Sequence, residues 1–305
     1  MTERLPRFFF DRELPPEYTD LIEGRAIAVG PDLKELASAD AVIASSVVRW
    51  NATTFAAAPK LKVVSRTGVG YDNVDVADAR RAGVVVCYTP LAPTVSTAEH
   101  TVALMLAITK ELPAQQARSV AGLGCTTPTA LELDGRVLGI IGLGRIAKRV
   151  AKAAAALGMR VIAFDPYLKP GDAGYELVAL DDLLGAADVV SVHAPATSET
   201  EKLINAVTLA KMKPGAYLVN CARGGLVDQE ALLAALNSGR LAGAALDVTT
   251  PEPLPRGHPL LEHPHVIVTP HIASNTVAGR RRLYEQAIDN AFAVLSGRSA
   301  SVVPE

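Results

Sequence analysis

Residues 137–147 read Val137-Leu138-Gly139-Ile140-Ile141-Gly142-Leu143-Gly144-Arg145-Ile146-Ala147, an apolar run that breaks into glycines and continues into an alanine-rich segment. The first five residues predict a buried strand, and Gly142 permits the tight turn after it. Gly144 lets backbone N–H groups approach a phosphate, and Arg145 and Ile146 begin a helix whose N-terminus attracts anions. The stretch therefore predicts a strand–turn–helix unit that binds the pyrophosphate of a dinucleotide.

An acidic residue follows at the distance that a dinucleotide site requires. The next predicted strand is Arg160–Phe164, and Asp165 follows it, about 20 positions beyond the glycines. A carboxylate there accepts hydrogen bonds from the ribose diol and repels a 2′-phosphate, so NAD is expected in preference to NADP. Asp165 also precedes Pro166, and a simple turn residue is the alternative role.

The composition is that of an ordinary globular protein. The 305 residues carry a formal net charge of -2 and contain no long basic run, so no nucleic-acid surface is expected. No segment is apolar for long enough to span a bilayer and no targeting segment is recognised, which favours the cytoplasm. Three scattered cysteines without a CxxC pair argue against a disulfide framework or a metal site; they are Cys87, Cys125 and Cys221.

Short apolar runs alternate with helix-compatible stretches on both sides of the glycine turn. Before it, the predicted strands are Arg7–Phe10, Ala26–Val29, Ala41–Ala44, Leu61–Val64 and Val84–Val86, with helical segments at 33–38, 52–58 and 75–82. After Asp165, the predicted strands are Val189–His193, Tyr217–Cys221, Leu241–Val248 and Val266–Thr269, with helices at Glu201–Lys211 and Gln229–Asn237. The alternation predicts an α/β fold of two Rossmann-like, doubly wound parallel-sheet domains, the second with about six strands.

Two prolines, Pro90 and Pro93, interrupt this pattern and indicate a domain boundary. We expect a dinucleotide-binding domain at 93–276. A final helix near 276–295 is long enough to pack back on the first domain, so the substrate-binding domain is expected to be discontinuous, at 1–92 and 277–305. After the boundary, the run from Ser96 to Glu99 predicts a capping box for an apolar helix, buried between the domains or against a second subunit.

Three chemically complementary side chains follow the late strands. Arg223 follows the strand near 217–221, while Glu252 and His271 lie beyond the two strands after it. Active sites accumulate at the carboxyl ends of such strands. Hydride transfer to a 2-keto acid needs a cation for the carboxylate and a proton donor for the alkoxide, and a carboxylate can orient the histidine. Taken singly, a surface charge, a solvated loop and a helix cap are the alternatives, but together the three favour catalysis.

Four motifs resemble the signatures of the D-isomer-specific 2-hydroxyacid dehydrogenase family. They are Gly142-Leu143-Gly144-Arg145-Ile146-Ala147, Asn220-Cys221-Ala222-Arg223-Gly224-Gly225-Leu226-Val227-Asp228, Asp247-Val248 with Glu252-Pro253-Leu254, and Thr269-Pro270-His271-Ile272. Residues 66–75 are similar to that family's substrate loop, and residues 98–101 to its interdomain helix. The resemblance implies a homodimeric NAD-dependent oxidoreductase that interconverts a small 2-keto acid and its D-2-hydroxy acid.

The resemblance also implies a role for each matched position. Arg223 would bind the substrate carboxylate and carbonyl oxygen, His271 would be the general acid–base, and Glu252 would pair with His271. Asp247 would lie near the nicotinamide carboxamide, with Ala222 beside the cofactor.

Further residues are implied to shape the substrate site. The backbone N–H groups of Val69 and Gly70 would hold the substrate carboxylate, and Arg49 stands where many relatives have an arginine that reaches towards the substrate. Tyr71 and Trp50 are expected as pocket walls. Trp50 replaces a small polar residue, which argues against a phosphorylated substrate such as 3-phosphoglycerate.

Several of these functional assignments have an alternative interpretation. His193 matches a family motif at a strand end near the cofactor, but a structural hydrogen bond is an equal alternative. Glyoxylate, hydroxypyruvate or a related short keto acid is the expected substrate. An NAD-sensing scaffold, similar to transcriptional co-repressors of this fold, would keep the same Arg, Glu and His. Phosphite oxidation uses similar residues.

Overall fold

The computed structural model describes residues 4–124, 129–169, 171 and 174–303. It divides into two compact units, Met1–Thr94 with Asn275–Glu305, and Val95–Ser274. Cys125 lies outside the described residues, whereas Cys87 and Cys221 are free thiols. Burial raises the pKa of Cys87 to about 11.

The first unit is built on a five-stranded parallel sheet. Its strands are β1 (Arg7–Phe10), β2 (Ile27–Val29), β3 (Ala41–Ala44), β4 (Val63–Arg66) and β5 (Val85–Cys87), in the order β2-β1-β3-β4-β5. Each of these strands is short and apolar, as expected of parallel strands covered on both faces. Its helices are α1 (Ala52–Ala56), α2 (Val76–Arg81) and 3₁₀ turns at Pro16–Leu21 and Leu33–Ser38.

The C-terminal helix, Val277–Leu295, belongs to this first unit and packs against β3, β4 and β5. Buried Asn290 on this helix donates from Nδ2 to the Tyr88 carbonyl (3.0 Å) and accepts at Oδ1 from the Ser301 amide (3.0 Å). The segment after the helix therefore lies beside β5, where Val302 forms an antiparallel bridge with Cys87.

The second unit is built on a seven-stranded parallel sheet. The strands are β6 (Val137–Ile141), β7 (Arg160–Phe164), β8 (Glu176–Leu177), β9 (Val189–Val192), β10 (Ala216–Asn220), β11 (Leu241–Leu246) and β12 (Val266–Val268). They lie in the order β12-β11-β10-β9-β6-β7-β8, so β6 pairs with both β7 and β9. The strand order reverses at β6, and a ligand crevice forms at the carboxyl edge of such a switch point. The predicted fold class, two doubly wound parallel sheets, is confirmed.

Among the described residues, seven helices flank this second sheet or lead into it. They are α3 (Thr94–Thr109), α4 (Leu112–Val120), α5 (Arg145–Ala156), α6 (Leu180–Ala186), α7 (Ala206–Lys211), α8 (Gln229–Asn237) and α9 (Pro259–Glu262), with a 3₁₀ turn at Gly224–Leu226.

Three local predictions were wrong. Helix α3 begins at Thr94, so Ser96 lies inside the helix and is buried rather than capping it. Helix α7 begins five residues later than expected, because the Asn205 side chain caps it by accepting hydrogen bonds from the Val207 and Thr208 amides. A seventh strand, β8, was not expected, since two residues are too few to show a pattern.

A glycine within β6 gives a test of packing in the second unit. A Cβ added at Gly139 would lie 2.6 Å from Leu183 Cδ2 and 2.9 Å from Ala187 Cβ. We expect Gly139→Ala to lower the free energy of unfolding by about 1–3 kcal/mol, because the core is already filled there. Denaturant unfolding monitored by circular dichroism measures this change.

Gly185→Ala is the matched control for this substitution. Gly185 lies within α6, and the nearest atom to its added Cβ is the Lys211 carbonyl oxygen at an ordinary 4.0 Å. Alanine favours helix over glycine, so this variant is expected to gain about 0.5–1 kcal/mol. Equal effects of the two substitutions would contradict the packing of α6 against β6.

Two features are absent from the described part of the chain. No helix there is both long and apolar enough to cross a membrane. No group of three or more His, Cys, Asp or Glu side chains there could hold a metal ion.

Candidate active site

The glycine turn after β6 accepts only glycine at its first position. Gly142 has φ +86°, and an added Cβ would lie 2.8 Å from the Ala194 nitrogen. Its amide donates to the Phe164 carbonyl on β7 at 2.8 Å. The turn is therefore packed directly against the neighbouring strands.

The N-terminus of α5 has room for a phosphate. Gly144 precedes the helix, and an added Cβ there would have no atom of the described residues within 4 Å. Arg145 and Ile146 form the start of the first turn, whose amides have no partner within the helix. The open position of Gly144 and these amides fit a bound pyrophosphate.

Asp165 is held against this turn by two backbone amides. Its Oδ2 accepts from the Leu143 amide at 2.9 Å, and its Oδ1 accepts from the Tyr167 amide at 3.0 Å. Each carboxylate oxygen has a second lone pair, so ribose hydroxyls can still donate to it. Asp165 thus has the turn role, and its carboxylate keeps acceptor capacity beyond these two bonds.

His193 follows β9, and its side chain contacts a residue of that strand. Its Nε2 lies 2.9 Å from Ser191 Oγ, and burial lowers the pKa of His193 to about 4. The imidazole is therefore neutral at neutral pH. This contact is the structural hydrogen bond that sequence reasoning kept as the alternative.

His271 and Glu252 form a hydrogen-bonded pair. His271 Nδ1 lies 2.6 Å from Glu252 Oε1, and both side chains are partly exposed, at 42% and 38%. Because a carboxylate only accepts, Nδ1–H donates to it, and Nε2 is left to exchange a proton with a ligand. The pair has the arrangement of an oriented general acid–base.

The backbone at His271 adopts an unusual conformation. Its φ is +53°, in the left-handed region that non-glycine residues rarely occupy. The His271 amide donates to the carbonyls of Asp247 (2.8 Å) and Thr269 (3.0 Å). Such backbone conformations persist where the surrounding contacts hold them, and they cluster at functional sites.

Buried Asp247 holds this turn through its carboxylate. Oδ1 accepts from Thr269 Oγ1 (2.5 Å) and the Ile272 amide (2.9 Å), and Oδ2 accepts from the Ala273 amide (2.8 Å). Burial raises the pKa of Asp247, but hydrogen bonds from His100, Thr269, Ile272 and Ala273 together outweigh it and keep the pKa below its ordinary value. The charged carboxylate thus fixes the segment that carries His271.

His100 joins α3 to this network. Its Nε2 lies 3.1 Å from Thr269 Oγ1 and 3.3 Å from Asp247 Oδ1. Sequence reasoning missed this contact because 169 positions separate His100 from Thr269, and no local pattern pairs them.

Arg223 is presented by a turn that buried Asn220 closes. Asn220 Nδ2 donates to the Arg223 carbonyl (2.9 Å), and its Oδ1 accepts from the Ala222 amide (3.0 Å). The guanidinium Nη1 donates to the Ala222 carbonyl at 2.7 Å. Strands β10, β11 and β12 are neighbours, so the loops that carry Arg223, Glu252 and His271 leave one edge of the sheet.

In the first unit, Asn73 ties together the two loops expected to bind substrate. Asn73 Nδ2 donates to the carbonyls of Ser45 (2.9 Å) and Val48 (2.7 Å), and its Oδ1 accepts from Arg66 Nε at 3.1 Å. The loop after β3 contains Arg49, and the loop after β4 contains Val69 and Gly70. Arg49 and Val69 are exposed.

The expectation that Trp50 forms a pocket wall was wrong. Trp50 is completely buried, and its ring packs edge-on against Phe9 at a centroid distance of 6.3 Å. The Trp50 side chain fills part of the core of the first unit. Because it does not line an open pocket, its presence is no argument against a phosphorylated substrate. Tyr71 is half-buried and packs edge-on against Tyr88 at 6.1 Å.

The chain is similar to known proteins over most of its length. Residues 102–273 match the model of the D-isomer specific 2-hydroxyacid dehydrogenase, NAD binding domain. A D-3-phosphoglycerate dehydrogenase of Mycobacterium bovis is 43% identical over 276 residues, which are 88% of this chain and 52% of that protein. The chain thus spans about half the length of that relative.

Two further proteins match over most of their own length. A glyoxylate reductase of Thermofilum pendens is 40% identical over 276 residues, covering 87% of this chain and 81% of the relative. The crystal structure of the TT0316 protein from Thermus thermophilus has a TM-score of 0.90 at 40% identity, covering 98% of this chain and all of that one.

Proposed function

Because the chain belongs to the D-isomer specific 2-hydroxyacid dehydrogenase family, we propose that it interconverts a small 2-keto acid and its D-2-hydroxy acid, with NAD as cofactor. The second unit is the NAD-binding domain of that family. The observation that carries the proposal is the 2.6 Å pair of His271 and Glu252 at the carboxyl edge of this domain's sheet.

His271 performs the proton transfer in this proposal. In reduction, the protonated imidazole donates from Nε2 to the oxygen that becomes the hydroxyl; in oxidation, neutral Nε2 accepts the hydroxyl proton. Glu252 keeps Nδ1–H oriented and stabilises the positive charge on the ring. Arg223 supplies a cation for the substrate carboxylate and carbonyl oxygen. The bound nicotinamide supplies or accepts the hydride.

Residues of the first unit provide the remaining substrate contacts that we propose. The amides of Val69 and Gly70 bind the carboxylate, and Arg49 and Tyr71 limit the substrate's other end. Relatives are named D-3-phosphoglycerate dehydrogenase and glyoxylate reductase. Glyoxylate and hydroxypyruvate are our preferred substrates, with phosphohydroxypyruvate as the phosphorylated comparison.

A spectrophotometric assay tests this function. Loss of NADH absorbance is followed with glyoxylate, hydroxypyruvate, pyruvate, longer 2-keto acids and phosphohydroxypyruvate. Rapid oxidation with one class supports the proposal. A protein that binds NADH tightly but neither reduces any of these acids nor oxidises phosphite with NAD would instead support an NAD-sensing scaffold.

NAD preference is a separate part of the proposal, and Asp165 carries it. Asp165→Asn removes the negative charge that repels a 2′-phosphate and keeps one oxygen as acceptor for the Leu143 amide, but it loses the bond from the Tyr167 amide. We expect the ratio of the NADPH to NADH dissociation constants to fall about 10-fold, equivalent to roughly 1.4 kcal/mol. Fluorescence titration measures both constants, and an unchanged ratio would contradict the role of Asp165.

We further propose that the protein is a cytoplasmic homodimer. Helix α4 has no buried residue and exposes apolar Leu112 and Val120, the latter to 79%, which supports a second subunit as its cover. The free thiols of Cys87 and Cys221 suit a reducing compartment. A monomer in sedimentation velocity would contradict the dimer.

A further inference from the structure

The segment that carries Glu252 has few backbone N–H groups that can donate hydrogen bonds. Pro251 and Pro253 flank Glu252, and a proline has no N–H to donate. The segment lies beyond the end of β11 and is largely exposed. Within the segment, Thr249 Oγ1 donates to the Pro251 carbonyl at 2.9 Å. The Glu252 carboxylate lies 2.6 Å from His271, and contacts from outside the segment add to this local bond in holding it there.

Gln229 supplies such a contact. Its Oε1 accepts a hydrogen bond from the Thr250 amide at 3.1 Å, and its Nε2 donates to the Thr250 carbonyl. A planar amide side chain thus bonds both backbone groups of one residue, two positions before Glu252.

The other end of this link is rigid. Gln229 is the first residue of α8, and Asp228 caps that helix by accepting from the Ala231 amide at 3.1 Å. The same chain segment passes close to Thr249 at Gly224, where an added Cβ would overlap the Thr249 carbonyl oxygen. The loop after Arg223 and the segment before Glu252 are therefore packed together, and a helix end anchors the contact.

We propose that Gln229 is a positioning residue for catalysis: through the backbone of Thr250 it holds Glu252 against His271. The expected effect on catalysis rests on the function proposed above. The mechanical link, by which we mean the two hydrogen bonds between Gln229 and Thr250, does not. Gln229 bonds Thr250 and acts only through Glu252. Its loss lets Glu252 move away, so His271 is less well oriented and the charge on its ring is less stabilised, while the groups that bind substrate and cofactor are unaffected.

Gln229→Ala tests the catalytic part, with Glu230→Ala as the matched control because Glu230 is an exposed neighbour on the same helix. We expect kcat to fall about 10-fold in Gln229→Ala, as misplaced catalytic groups do. KM and the NADH dissociation constant should stay within about twofold. Gln229→Glu accepts from the Thr250 amide but cannot donate to its carbonyl, so an intermediate kcat is expected.

A double-mutant cycle separates positioning from a general structural effect. In a Glu252→Gln background, adding Gln229→Ala should change kcat less than about twofold, because the group that Gln229 positions has already been neutralised. Additive losses, or a kcat of Gln229→Ala equal to that of the Glu230→Ala control, would overturn the proposal.

Hydrogen–deuterium exchange tests the mechanical link without any activity. The Thr250 amide is bonded to Gln229, so peptides spanning 248–254 should exchange faster in Gln229→Ala than in Glu230→Ala. Equal exchange would overturn the proposal. If the unaltered protein reduces no keto acid, the proposed function fails, and the exchange result still decides whether Gln229 holds this segment.

Discussion

Replacing His271 with asparagine lowers the rate of keto-acid reduction about 10²–10⁴-fold, the usual contribution of a general acid–base. Asparagine tolerates the left-handed conformation that His271 adopts at φ +53°, so the turn is expected to keep its shape. Steady-state kinetics with NADH measures the loss, and fluorescence titration shows an unchanged affinity for NADH.

His265→Asn is the control for this substitution, since His265 is exposed and lies just before β12. It should leave kcat unchanged. Turnover by His271→Asn at the rate of the unaltered protein would exclude His271 as the proton donor.

Replacing Arg223 with leucine lowers kcat/KM about 10²–10³-fold, because a preorganised donor to the reacting oxygen and carboxylate is lost. Both KM and kcat should change, since the guanidinium contacts the substrate in the ground state and the transition state. The replacement removes the bond from the guanidinium to the Ala222 carbonyl, but the Asn220 side chain still bonds the backbone of Ala222 and Arg223 and is expected to hold the turn.

Arg223→Lys distinguishes charge from shape. Lysine keeps the positive charge but lacks the planar fork that bonds a carboxylate twice, so it should recover only part of kcat/KM. An unchanged KM and kcat in Arg223→Leu would contradict the assigned role.

Sequence patterns predicted every strand of both sheets except β8, because buried parallel strands are short and apolar and alternate with helices. The predicted and observed bounds agree for β1, β3, β6 and β7, and β4 is displaced by two residues towards its C-terminus. Strand β8 has two residues and helix α7 has six, so neither gives a periodic signal that sets its start. A side-chain cap, at Asn205, decided the start of α7.

The site was predictable where chemistry coincides with a strand end and not where it depends on distant contacts. The carboxyl-end rule selected His271 and Glu252, and the structure joins them directly. The supporting contacts of Gln229 and His100 join residues 21 and 169 positions apart, which no local pattern reveals. Trp50 was misjudged for the same reason, since its burial is decided by packing against residues such as Phe9, far away in the sequence.

The transfer of a labelled hydride measures the proposed reaction itself. The protein is supplied with NADH carrying deuterium on both C4 positions and with pyruvate or hydroxypyruvate, whichever the assay shows to react, since their reduced products are chiral at C2. We expect a D-2-hydroxy acid with one deuterium at C2, formed in equal amount to NAD. An L product, or a product without deuterium at C2, would contradict it.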